Sequence, residues 1–121
     1  MNKIIYVNIE FPNQPKESDY GNKEYKWKIL PDKPELMDFK CNKLASQMIY
    51  RIFEGDGKAT YIIGILDSGI PIGLSELEVL KTINMFKRIT NIIKCNITSI
   101  RVYNTDKNFI ITMRISKNIY V

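Results

Sequence analysis

The apolar residues of this chain change period along its length, and that change fixes the order of elements it can fold into. In "EYKWKIL" they alternate, with Tyr25, Trp27 and Ile29 on one side and Lys26 and Lys28 on the other, as a half-buried strand requires. From Met37 they return every third or fourth position, through Cys41, Leu44, Ala45, Met48 and Ile52, so the spacing predicts a helix ending near Glu54. "PDKPE" supplies its start, with Asp32 as N-cap, Pro34 in the first turn and Glu35 completing a capping box. Gly55, Asp56 and Gly57 stop it, because glycine accepts the left-handed backbone that helix ends favour.

"YIIGILDSGIPIGLSE" then reads as a hairpin, with strands over 60–66 and 70–74 around the turn Asp67-Ser68-Gly69. Pro71 has no N–H to give a ladder, which makes the second of these strands short, bulged or an edge. Ser75 and Glu78 form a second capping box, and the apolar period behind them predicts a helix over 76–93. A Gly-rich turn before a helix can cradle phosphate, but Glu76 and Glu78 place negative charge in that first turn and oppose an anion there. "NITSIRVYN" and "NFIITMRI" complete the pattern as a hairpin around Thr105-Asp106-Lys107.

The expected fold class is therefore α+β, a single domain in βαββαββ order. It corresponds to a ferredoxin-like, split βαβ sheet with two helices packed on one face. Residues 1–22, rich in Pro, Asn and charge, read as an extended N-terminal arm, 23–117 as the α+β domain, and 118–121 as the start of a linker or strand.

With 121 residues, 45% of them hydrophobic, the chain can bury one core without help from metals or disulfides. The absence of histidine excludes Ser-His-Asp, Cys-His and His-metal chemistry. Cys41 and Cys95 match no metal-ligand spacing and read as reduced thiols, and the acidic residues form no cluster suited to a cation. No membrane span or secretory leader is visible, so a cytoplasmic location is expected. A net charge of +5 favours an anionic partner, of which RNA is the commonest in that compartment.

The segments "GNKEYKWKIL", "QMIYRIFEGDGKATYIIGILDSGIPIGLSE" and "IITMRIS" together resemble the N-terminal domain of the GTP-binding protein 1 and 2 family, which are elongation-factor-Tu-like translational GTPases. The resemblance runs in order from residue 21 to about residue 116, through Glu24-Tyr25-Lys26, Gln47 to Gly64, and Gly73-Leu74. It implies a binding or regulatory module that contacts RNA, the ribosome or a neighbouring GTPase domain, in a parent protein that uses GTP and Mg. No Gly-x-x-x-x-Gly-Lys-Ser/Thr phosphate loop occurs in this sequence, so no nucleotide-binding residue, cofactor or enzymatic role carries over to this chain. The isolated leading domain of a longer protein and a free-standing copy both fit. A second resemblance, to the Schlafen-type nucleic-acid-processing core, rests on Glu24-Tyr25-Lys26 and on Ile63 to Gly73, and implies Glu24 as a metal ligand; the small-residue run of that pattern is missing.

Two cationic groups stand out as RNA or partner contacts. Lys26, Lys28, Arg101 and Arg114 are expected on an outer sheet face beside Tyr103, and Lys87 and Arg88, with Lys81 and Lys94, on a helix surface. No catalytic or metal-ligating residue is expected.

Overall fold

In the computed structural model, which describes residues 3–118, the second helix starts where its cap places it. The Ser75 hydroxyl accepts from the Glu78 N–H at 3.2 Å, and the Glu78 carboxylate accepts from the Ser75 N–H at 2.9 Å. This reciprocal pair satisfies two backbone donors at the start of α2, Glu76–Ile92. The first helix begins differently. Lys33 precedes Pro34 and is held extended, so Asp32 falls one position outside the start and caps nothing; a short 3₁₀ turn over Pro34–Leu36 leads instead into α1, Met37–Glu54.

The strands are β1, Ile4–Glu10; β2, Lys23–Lys26; β3, Lys58–Ile63; β4, Asn96–Thr105; and β5, Asn108–Ser116. They form one mixed five-stranded sheet in the order β1-β4-β5-β3-β2. β2 runs parallel to β3 and β1 parallel to β4, while β5 is antiparallel to both β3 and β4. The element order is thus ββαβαββ, with a strand order that departs from the ferredoxin-like expectation.

Two segments account for the departure. Residues 4–10, expected within an arm, pair with β4 as an edge strand. Residues 70–74, expected as a strand, make only the single bridges Ile65–Pro71 and Leu74–Phe109. The Gly64 carbonyl accepts from both the Ile72 and Gly73 N–H groups at 2.9 and 2.7 Å, which folds the chain back before a ladder forms. Strand β2 is also shorter than its alternation suggests: Tyr25 is buried, Trp27 is exposed, and Ile29 packs with the helices.

Both helices cover one face of the sheet over a core that includes Met48, Ile52, Tyr61, Ile63, Phe86, Ile100, Ile111 and Met113. The opposite face carries a smaller core, Tyr25, Ile62, Ile65 and Ile110, flanked by Phe11 and Tyr103. The segment between β1 and β2 crosses this second face. Phe11 packs on Tyr103 with ring centroids 5.1 Å apart, the Tyr25 hydroxyl donates to the Pro15 carbonyl at 2.9 Å, and the N–H groups of Gln14 and Glu17 donate to the Gly69 and Asp67 carbonyls. The turn that sequence alone assigns to a hairpin thus seats the crossing segment.

Arg51, on α1, fastens the far end of that segment. Its guanidinium is buried and donates to Glu24 at 3.0 Å, to the Gly21 carbonyl at 2.9 Å and to the Ser18 carbonyl at 3.0 Å. Cys41 is buried and Cys95 half-buried, both are free thiols, and burial pushes both upward in pKa. Among the described residues no helix is long and apolar enough to cross a membrane, and no group of three or more acidic or thiol side chains could hold a metal ion.

Candidate functional site

The crossing segment covers only half of the second sheet face. Register and the two-residue alternation of strands identify what lies on the other half. One row runs Ile5, Arg101, Thr112, Ile62 and Tyr25; the next holds Ser99, Arg114, Thr60 and Lys23; the last holds Ser116 and Lys58. Below Tyr25 and Ile62 the surface is therefore made of Lys23, Lys58, Arg101 and Arg114 interleaved with hydroxyl side chains. No Asp or Glu occupies a strand position of this face. A cavity of about 430 Å³ opens here, lined by Asn22, Lys58, Thr60, Thr98, Arg114 and Ser116.

Chemically this is an array of donors. Guanidinium and ammonium groups beside serine and threonine hydroxyls are the side chains that contact phosphate oxygens, and a rigid sheet holds them at fixed spacing. Arg101 and Arg114 are exposed, and among the described residues no carboxylate forms an ion pair with either.

The other cations singled out in the sequence lie elsewhere. Lys26 pairs with Ile63, which puts it on the helix-covered face, where its ammonium lies 3.9 Å from Glu24. Lys28 lies beyond the end of β2, stacked 5.2 Å from the Trp27 ring centroid and bonded to Glu78 at 3.0 Å. The Ser75 N–H and the Lys28 ammonium together hold the Glu78 carboxyl below its ordinary pKa. On α2 the Arg88 guanidinium forms an ion pair with Asp38, and Lys87 is half-buried, its carbonyl accepting from Thr90. Of the expected sheet-face group, only Arg101 and Arg114 are brought together.

Lys23 and Lys58 were legible in principle. Each begins a strand whose alternation puts it in phase with the outward residues, but their rows became apparent only once β3 was known to lie between β2 and β5. Glu24 is held by Arg51 and Lys26, which occupy the carboxylate that the Schlafen-type resemblance would assign to a metal.

These features define a class: an α+β domain with a helix-covered face, a partly covered face and a cationic, hydroxyl-rich platform. The chain is related in sequence to GTP-binding protein 2. It is 33% identical to that protein from Mus musculus over 95 residues, which are 78% of this chain and 15% of the relative, and the protein from Homo sapiens matches to the same extent. It is also 34% identical over 115 residues to "Uncharacterized protein R625" of Acanthamoeba polyphaga mimivirus, covering 94% of this chain and 58% of that protein. The chain thus spans a small part of GTP-binding protein 2 and somewhat over half of the viral relative. No family model and no solved structure matches it.

Proposed function

We propose that this chain is a non-catalytic, RNA-binding module of an elongation-factor-like GTP-binding protein, standing at the N-terminal side of the GTPase domain. The observation that carries the RNA reading is the open half of the sheet. Four cations and several hydroxyls share one surface, with no acidic residue at its strand positions. Single-stranded RNA is the favoured ligand, because a rigid sheet offers phosphate contacts at a fixed spacing. The relationship to GTP-binding protein 2 supports placing the module in a GTP-binding factor. GTP, Mg and the ribosome enter only through such a parent protein.

A salt titration of fluorescent single-stranded RNA and tRNA binding tests this reading. Four phosphate contacts give a log K against log salt slope of about −3, and the double substitution Arg101→Glu/Arg114→Glu reduces it to about −1.5 while weakening binding. Lys26→Glu/Lys28→Glu and Lys87→Glu/Arg88→Glu change affinity by less than about twofold, since rim and paired charges contribute little. Equal losses in all three doubles, or no salt-sensitive binding, sink the RNA reading. Phe39 and Phe53, large and exposed on α1, then favour contact with a GTPase domain instead.

A further inference from the structure

Strand β1 ends the sheet with an unprotected edge. Between residues 4 and 9 it carries no charge and no proline, and among the described residues no backbone group bonds to its outer side. Soluble proteins ordinarily blunt such edges with lysine, proline or a covering loop, because a row of free N–H and C=O groups recruits another strand. Here large apolar side chains stand exposed on both sides of the edge. Ile5 and Ile9 are 46% and 55% exposed, and on the helix-covered side Tyr6, Leu77 and Leu80 are 66%, 60% and 48% exposed. Tyr6 and Leu80 line a cavity of about 280 Å³ with Val79, Val102 and Phe109 and with Glu76 as its one charged residue, so a mostly apolar surface continues from the edge onto α2.

We infer that β1 pairs antiparallel with β1 of a second copy of this chain, joining two sheets into one. Charge selects both the occupant and the direction. Lys3 stands at the start of the strand and Glu10 at its end, so antiparallel self-pairing sets each Lys3 at the Glu10 end of the other copy, whereas parallel pairing would bring like charges together. Glu10 uses one carboxylate oxygen to accept from the Asp106 N–H, which holds the side chain at that end. For both pairs of helices to remain on one face of the joined sheet, the twofold axis must pass normal to it. Alternation then places either Tyr6 or Val7 opposite its own copy. The two α2 helices face each other across the seam, and Tyr6, Leu77 and Leu80 fill the space between them.

Sedimentation velocity of the full chain over a concentration series tests the pairing, with Lys3→Glu, Lys3→Glu/Glu10→Lys and Leu80→Lys as variants. The expected result is a two-chain species that weakens roughly fivefold in Lys3→Glu, returns in the charge-swapped double, and weakens in Leu80→Lys, a change on an exposed helix position that spares the strand. Mild oxidation of Tyr6→Cys or Val7→Cys then cross-links one of the two, since directly opposed residues in antiparallel strands lie within disulfide reach, while Phe39→Cys on α1 does not cross-link. A single-chain species at every concentration overturns the inference and leaves the edge to a strand from a different protein. Failure of the charge swap to restore association in a variant with an unchanged circular dichroism spectrum overturns it equally. The outcome is independent of RNA binding, because Tyr6 and Leu80 lie on the face opposite Arg101 and Arg114.

Discussion

Arg51 couples the crossing segment to the core, and its neighbours make that coupling sensitive to pH. A buried guanidinium with three directed bonds is poorly replaced: Arg51→Met leaves half-buried Glu24 with only the more distant Lys26 ammonium and frees the Gly21 and Ser18 carbonyls, a loss of about 3 kcal/mol in denaturant unfolding. Arg51→Lys recovers little of this, because an ammonium cannot reproduce the planar fork. Glu17 lies 3.8 Å from the same guanidinium and accepts from the Tyr25 N–H. Burial, with the nearby Glu24 carboxylate adding to it, pushes Glu17 up to about 7 against the opposing pull of the Tyr25 N–H. A carboxyl raised in the folded state holds its proton where the unfolded chain has lost it. Its contribution is therefore fully present below the ordinary carboxylate range and is lost as pH rises through about 7. Unfolding measured from about pH 4 to about pH 8 should show stability falling across that window, and Glu17→Gln should flatten that part of the profile. An unchanged profile in Glu17→Gln would mean that Glu17 titrates normally.

At the scale of elements, what was legible followed from local rules and what was not depended on distant partners. Both helices and the final hairpin follow from apolar spacing and turn chemistry that each segment carries itself. The cap of α1 is misread from local rules because two of them conflict at Lys33: a good N-cap at Asp32 loses to the extended backbone that Pro34 imposes. Strand β1 is invisible to period counting, since its seven residues satisfy their backbone only against β4, far along the chain. The second hairpin strand fails at Gly73, which has φ 93° and sits against the β4–β5 turn. A Cβ there would lie 2.5 Å from Asn108 Cβ and 2.6 Å from Thr105 Cγ2. Gly21 has a similar φ of 88° with nothing within 4 Å of its would-be Cβ, so the two glycines separate backbone strain from collision. Gly21→Ala should cost about 1 kcal/mol, the strain alone, and Gly73→Ala about 3 kcal/mol, both by chemical denaturation. Equal costs would show that the turn relaxes around the added methyl.

Across the whole molecule, the site was half legible: Arg101 and Arg114 follow from alternation within one hairpin, whereas the exclusion of Lys26 depends on β2 lying parallel to β3. The same topology decides what residues 1–22 are. Composition makes them an arm, because proline, asparagine and charge dominate after Val7. In the structure residues 4–10 supply an edge strand and the residues after them the lid of the second core, with Phe11 on Tyr103 and Pro15 over Tyr25. A chain beginning at Lys23 would uncover Tyr25, Ile62, Ile65 and Ile110, each 5% exposed or less in the intact molecule, and would leave Arg51 facing Glu24 alone. Removing the segment takes away the β1–β4 ladder, the cover over four large apolar side chains and two of the carbonyls that Arg51 holds. The shortened chain is therefore expected to melt about 10 °C or more below the full one and to bind a hydrophobic dye that the full chain excludes. Coincident melting curves would make residues 1–22 an appendage and the domain boundary the one that composition suggests. A large drop, with RNA binding by the Arg101 and Arg114 face recovered at low temperature, would show that the segment completes the fold while the platform beside it binds.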